Sequence, residues 1–91
     1  MPRINEIVWA GSFKRAFRTR VLGQPPEQVF RERLAIFIEN PFDARLKTHK
    51  LSGSFEGLWA FTVAYDCRVV FRFLSQDRVL LIDIGKHDEV Y

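Results

Sequence analysis

Three stretches decide how this chain folds: Leu58-Trp59-Ala60-Phe61-Thr62-Val63-Ala64, Arg68-Val69-Val70-Phe71-Arg72-Phe73-Leu74 and Val79-Leu80-Leu81-Ile82-Asp83-Ile84. Each alternates along its length, and residues two apart on a strand share a face. Trp59, Phe61 and Val63 share one face of the first segment, and Val69, Phe71 and Phe73 one face of the second. The third sets Leu80, Ile82 and Ile84 against Val79, Leu81 and Asp83. Matching the apolar faces predicts the pairing, because a one-residue slip turns a strand over. Phe73 opposite Leu80 and Phe71 opposite Ile82 leave Gln76-Asp77 as a two-residue turn. Val63 opposite Val69 and Phe61 opposite Phe71 leave Tyr65-Asp66-Cys67 as a three-residue loop. The sheet then has one wholly apolar face, which something must cover.

The residues ahead of it supply the cover. Ile7-Val8-Trp9-Ala10 reads as a short opening strand, broken by Gly11-Ser12, with Ser12 as the expected cap of a helix. Phe13, Ala16, Phe17 and Val21 recur at helical spacing as far as Gly23, with Lys14, Arg15, Arg18 and Thr19 on the other side. Pro25-Pro26 suits the first turn of a second helix, whose stripe is Phe30, Leu34, Phe37 and Ile38. Asn40-Pro41 ends it, since the residue before a proline is driven out of the helical region. The expected class is α+β: an N-terminal strand and a two-helix hairpin packed on a twisted antiparallel sheet, in the order β-α-α-β-β-β. Residues 1–91 are expected to form a single domain.

Composition agrees and excludes several alternatives. The chain is 47% hydrophobic with nine Phe, enough apolar surface to offset the entropy of ordering. One cysteine, Cys67, excludes an internal disulfide framework and a Cys-cluster zinc site. No apolar run approaches the ~18 residues of a membrane span, and the first residues lack the apolar core of a signal peptide. A cytoplasmic protein without membrane contact is therefore expected. Fourteen basic residues against eleven acidic ones give a net charge of +3. Ten of the fourteen are Arg, whose planar fork suits phosphate.

The sheet face turned away from the helices carries that charge. Ala60, Thr62 and Ala64 lie beside Arg68 and Arg72, with Asp83 on the neighbouring strand, so small side chains floor two long cations. An ion-pair ladder on an exposed sheet face and a phosphate-binding surface both fit this pattern. Two flanking segments add polar groups, Arg45 to Gly53 and Gly85 to Tyr91, and each holds one of the two histidines. Histidine takes up and releases protons near neutrality. Two of them with cations and a carboxylate are what metal-free phosphodiester transesterification requires: a base for the 2′-OH, an acid for the departing 5′-oxygen, and positive charge on the phosphate. A phosphate-binding Gly-Lys-Ser/Thr loop and a nucleophile elbow are both missing. Two histidines without a tight spacing do not make a zinc site.

Four stretches, His49-Lys50-Leu51-Ser52-Gly53, Gly57-Leu58-Trp59-Ala60, Asp66-Cys67-Arg68-Val69-Val70-Phe71 and Ile84-Gly85-Lys86-His87-Asp88-Glu89-Val90-Tyr91, resemble the RelE/ParE superfamily of toxins from bacterial type II toxin–antitoxin systems. The resemblance extends over essentially the whole chain and is nearest to the YafQ-like branch. It implies a ribosome-dependent endoribonuclease that cuts mRNA without a cofactor or metal. It also implies a cognate antitoxin, the ribosome and mRNA as partners, and operator DNA reached through the antitoxin. On the matching positions it implies His49, Asp66 and His87 as catalytic residues, and Tyr91 as a substrate-orienting aromatic. Arg68 resembles the phosphate-stabilising strand arginine of RelE- and YoeB-type relatives. Lys47, Lys50, Arg72 and Lys86 are the expected substrate-binding cations. Where the YafQ-like pattern has a further histidine this chain has Thr62, which cannot titrate near neutrality, and Cys67 replaces an aromatic. Two alternatives stand beside this reading: a ParE-like gyrase inhibitor, and a catalytically weak or silent relative acting through antitoxin and DNA binding.

Overall fold

The computed structural model describes residues 3–64 and 66–90. Its elements run β1 (Glu6–Trp9), α1 (Gly11–Arg20), α2 (Pro26–Glu39), β2 (His49–Lys50), β3 (Trp59–Ala64), β4 (Cys67–Ser75), β5 (Arg78–Gly85) and α3 (His87–Val90). Short 3-10 turns at Ala44–Leu46 and Gly53–Phe55 flank β2. The five strands form one sheet in the order β1-β5-β4-β3-β2. The α+β architecture and helical hairpin are as expected. Two features extend it: β1 joins β5 in parallel, and β2 adds an antiparallel edge strand to β3.

Both helices form for the reasons their sequences give. Phe13, Ala16 and Phe17 of α1 and Phe30 and Phe37 of α2 are buried, so each apolar stripe faces the sheet. Ser12 does not cap α1; its hydroxyl instead donates to the Ile82 carbonyl at 2.7 Å, tying the helix start to β5. The helix ends at Arg20, three residues before Gly23, whose φ of +74° turns the chain toward Pro26. Beyond α2, Asn40 is extended, as its position before Pro41 demands.

Aromatic rings bind the layers. Trp9 meets Phe13 edge-on at 4.8 Å and Phe17 at 5.1 Å, joining β1 to α1. Phe37 of α2 stacks on Phe61 at 4.8 Å and meets Phe71 edge-on at 5.0 Å, joining that helix to β3 and β4. Fully burying each such ring contributes about 1.5–3 kcal/mol, before any ring geometry is counted.

The register corrects two sequence expectations. Phe61 pairs with Val69 and Trp59 with Phe71, two residues away from the expected match, and Ala64 faces Cys67 across the turn. An even slip keeps every side chain on its face, so alternation could not detect it. On the other side, Ser75 pairs with Arg78, which leaves Gln76-Asp77 as the expected turn. Phe73 then pairs with Val79 and Phe71 with Leu81, because the ladder passes over Leu74, and it shifts back between Val70 and Phe71, passing over Ile82. These two irregularities invert part of β5. Val79, Leu81 and Ile84 are in the core, whereas Leu80 and Ile82 are only half-buried.

Candidate functional site

The outer face of the sheet can be assembled from its pairings. Thr62 lies opposite Arg68, and Arg68 opposite Gly85. His49 lies opposite Ala60, and Ala60 opposite Val70. His49, Thr62 and Arg68 therefore share one face. With strands about 4.8 Å apart and 3.3 Å per residue, the Cα atoms of His49 and Arg68 are roughly 12 Å apart. His87 opens α3 two residues beyond Gly85, at the same end of the sheet as Arg68.

Arg68 is half-buried on this face, between Thr62 and Gly85. Its Nη1 is buried with no hydrogen-bond partner among the described residues, although the side chain as a whole is 26% exposed. Asp66 Oδ1 stands 3.7 Å from that nitrogen, close enough to attract it and too far to accept a hydrogen bond. A buried N–H without an acceptor costs about 1–3 kcal/mol, and a phosphate oxygen would satisfy it.

His49 is exposed and has a defined tautomer. Its Nδ1 lies 2.9 Å from the Lys47 carbonyl. A carbonyl only accepts, so Nδ1 carries the proton and Nε2 of the neutral ring keeps a lone pair. The turn before it is set by Asp43, which accepts from the Arg45 backbone N–H and side chain. Those bonds hold the Asp43 carboxyl at about 2. Lys47 follows in the left-handed region at φ 52°.

The remaining expected residues fall into three groups. Asp66, Lys86 and His87 gather with Arg68 at one sheet end. Lys47, His49 and Lys50 sit along the β2 edge, where Lys50 Nζ lies 5.5 Å from the Trp59 ring centroid. Arg72 is exposed opposite Leu80, four residues along β4 from Arg68 and so about 13 Å away. Tyr91 lies outside the described residues. Asp83 is not in an ion-pair ladder with Arg68 and Arg72; it binds Arg20 Nη1 at 3.1 Å. A hollow of about 360 Å³ adjoins His49 and Ser52, and a cleft of about 410 Å³ on the helix side is lined by Arg20, Asp66, Cys67 and Lys86. Arg68 lines neither, so the functional reading rests on the outer sheet face, where Ala60 and Val70 are buried and Thr62 and Arg68 half-buried. Among the described residues, no three His, Cys, Asp or Glu side chains gather as a metal site.

Cys67 is only 7% exposed. Burial, then Glu89 and Asp66, push its thiol from 9.0 up to about 11, while Arg68 pulls the other way. Because the folded value is raised, the stabilising contribution is complete below pH 9 and is lost as pH rises from 9 to 11. At pH 8 the native thiol should react with a disulfide reagent about 100-fold more slowly than in the urea-unfolded chain. Equal rates would show that the thiol is open.

Sequence reasoning missed Arg20. It lies three residues after Phe17 and four after Ala16, on the buried stripe of α1, and a charge at such a position is itself a signal that it has partners.

This fold is the one seen in bacterial toxins of the RelE/ParE kind, YafQ and YoeB/ParE among them. Escherichia coli YafQ superimposes with a TM-score of 0.79 at 17% identity, over 93% of this chain and 96% of that one. In the E. coli DinJ–YafQ toxin–antitoxin complex the match has a TM-score of 0.78 at 17% identity, over 99% of both chains. A copper-bound mutant toxin from Helicobacter pylori matches with a TM-score of 0.75 at 22% identity, over 94% and 98%. No protein-family model and no curated protein sequence matches the chain. No helix among the described residues is long and apolar enough to cross a membrane.

Proposed function

We propose that this protein is the toxin of a type II toxin–antitoxin system, a YafQ-like endoribonuclease that cleaves mRNA on the ribosome and so stops translation in the cytoplasm. The observation that carries the proposal is Arg68 Nη1, buried and without a hydrogen-bond acceptor among the described residues, on the face that also holds His49 and at the sheet end from which His87 follows. A scissile phosphate over Arg68 would receive the missing hydrogen bond, and the guanidinium would stabilise the charge that grows on the phosphorus oxygens.

The acid/base work divides by tautomer. Nε2 of His49, free to accept while Nδ1 donates to Lys47, takes the proton of the 2′-OH. His87 delivers a proton to the departing 5′-oxygen, and the products are a 2′,3′-cyclic phosphate and a 5′-hydroxyl. Asp66 orients Arg68, and Lys47, Lys50, Arg72 and Lys86 hold the flanking phosphates as exposed cations. Thr62, directly opposite Arg68, contributes no proton. Its presence favours a second reading, a catalytically weak or silent relative that acts mainly by binding its antitoxin and DNA. The partner of choice is an acidic, partly helical antitoxin segment that folds on binding.

The test is to map mRNA 5′ ends in a translation reaction supplied with the wild type or with His87→Ala. The wild type should produce ends at fixed codon positions, and the variant should produce them about 100-fold more slowly. Full-length mRNA after prolonged incubation of the wild type with translating ribosomes would sink the nuclease reading and leave the silent, antitoxin-binding one.

A further inference from the structure

Arg20 closes α1, and its guanidinium reaches three groups outside that helix. Nη1 donates to Asp83 Oδ1 at 3.1 Å and to the Ile84 carbonyl at 3.0 Å, and Nε lies 3.7 Å from Glu89 Oε2. The other oxygen of Glu89 accepts from the Lys86 backbone N–H at 2.7 Å. One side chain thus joins the end of α1, the last residues of β5 and the turn of α3. The clamp is partly shielded from water, with 33% exposure for Arg20 and 29% for Asp83.

Gly85 shows how closely the clamp fits. A Cβ on Gly85 would lie 2.9 Å from both Arg20 Nη1 and Glu89 Oε1, so the clamp lies directly against its backbone. Gly85 is also the residue opposite Arg68, and it stands two residues before His87. The groups that would hold the phosphate and protonate the leaving oxygen are therefore referenced to one another through Gly85.

From this geometry we infer that Arg20 is a positioning residue. It fixes α3, and with it His87, relative to Arg68 through Asp83, the Ile84 carbonyl and Glu89. The inference rests on the nuclease reading of the outer face. α3 has four residues and no apolar stripe of its own, with Val90 its one buried side chain. A helix that short is not stable by itself, so its placement depends on such tertiary ties.

The experiment compares Arg20→Met and Arg20→Lys with the wild type, and uses Arg3→Ala as control for the loss of a surface cation paired with exposed Glu39. The first readout is hydrogen exchange of the Glu89 and Val90 amides, both bonded to the Lys86 carbonyl, normalised to the core amide of Phe71. Their protection should fall about tenfold or more in Arg20→Met. The second readout is cleavage of ribosome-bound mRNA. In Arg20→Met, kcat should fall about 100-fold with KM within about twofold. Arg20→Lys should recover part of both, because an ammonium can hold the carboxylates but lacks the fork that also serves the Ile84 carbonyl. Arg3→Ala should match the wild type in each. Unchanged protection in Arg20→Met, or lost protection with unchanged kcat, overturns the inference. If the wild type itself does not cleave, the nuclease reading falls, and the exchange data alone decide whether the clamp exists.

Discussion

Arg68→Met is expected to slow cleavage of ribosome-bound mRNA by about 100- to 1,000-fold, the cost of removing one preorganised charge from a developing oxyanion. The same change should leave folding intact. Arg68 Nη1 is buried without an acceptor, and Met keeps most of the stem's volume while removing that unsatisfied donor. The melting temperature should therefore fall by no more than about 3 °C, or rise. This pairing of a large loss in rate with a small change in stability separates a functional arginine from a structural one. A surface ion pair would predict little effect on either, because exposed pairs contribute about 0–1 kcal/mol. Arg68→Lys should recover only part of the rate, since a point charge cannot reproduce the fork. A Tm loss of many degrees with a proportionate fall in activity would instead make Arg68 part of the scaffold.

Phe71→Ala should have the largest effect on stability. Phe71 is on the central strand, fully buried, and in ring contact with Phe37, Phe61 and Phe73. Removing a buried Phe costs about 3–5 kcal/mol through lost transfer energy and the cavity left behind. A domain of this size has about 5–14 kcal/mol to lose. In urea, followed by the fluorescence of Trp9 and Trp59, the midpoint should drop by about 3 M or the transition should begin without denaturant. A cost below about 1.5 kcal/mol would mean that the rings around Phe71 collapse into the space, and that α2 is held to the sheet by other contacts.

The helices and the three long strands were legible because their periods are strong and unbroken. Phe13, Phe17, Phe30 and Phe37 are buried as their spacing predicts. Register was less legible, for a definite reason. Alternation is blind to an even slip, which is how β3 and β4 differ from expectation. The irregularities at Leu74 and Ile82 reverse parity within a strand, so Val79 and Leu81 turned inward where Leu80 and Ile82 were expected. β2 is two residues long and α3 four, too short to carry a period at all. They are the elements that present His49 and His87. The site residues could be named by chemistry and resemblance, while the arrangement that gives them meaning is tertiary. Arg68 illustrates this. Its charge was visible in the sequence, but the burial of Nη1 without a hydrogen-bond acceptor among the described residues depends on what packs around it.

The most direct test of the account is a single-turnover assay on mRNA held in translating ribosomes, with the wild type beside His49→Ala, Arg68→Met and His87→Ala. The wild type is predicted to cut within a codon only when ribosomes are present, leaving a 2′,3′-cyclic phosphate, and each variant to lose about 100-fold or more while remaining folded. Wild-type protein that leaves ribosome-bound mRNA intact, or variants that cut it at the wild-type rate, would contradict the claim that this sheet face is a nuclease site.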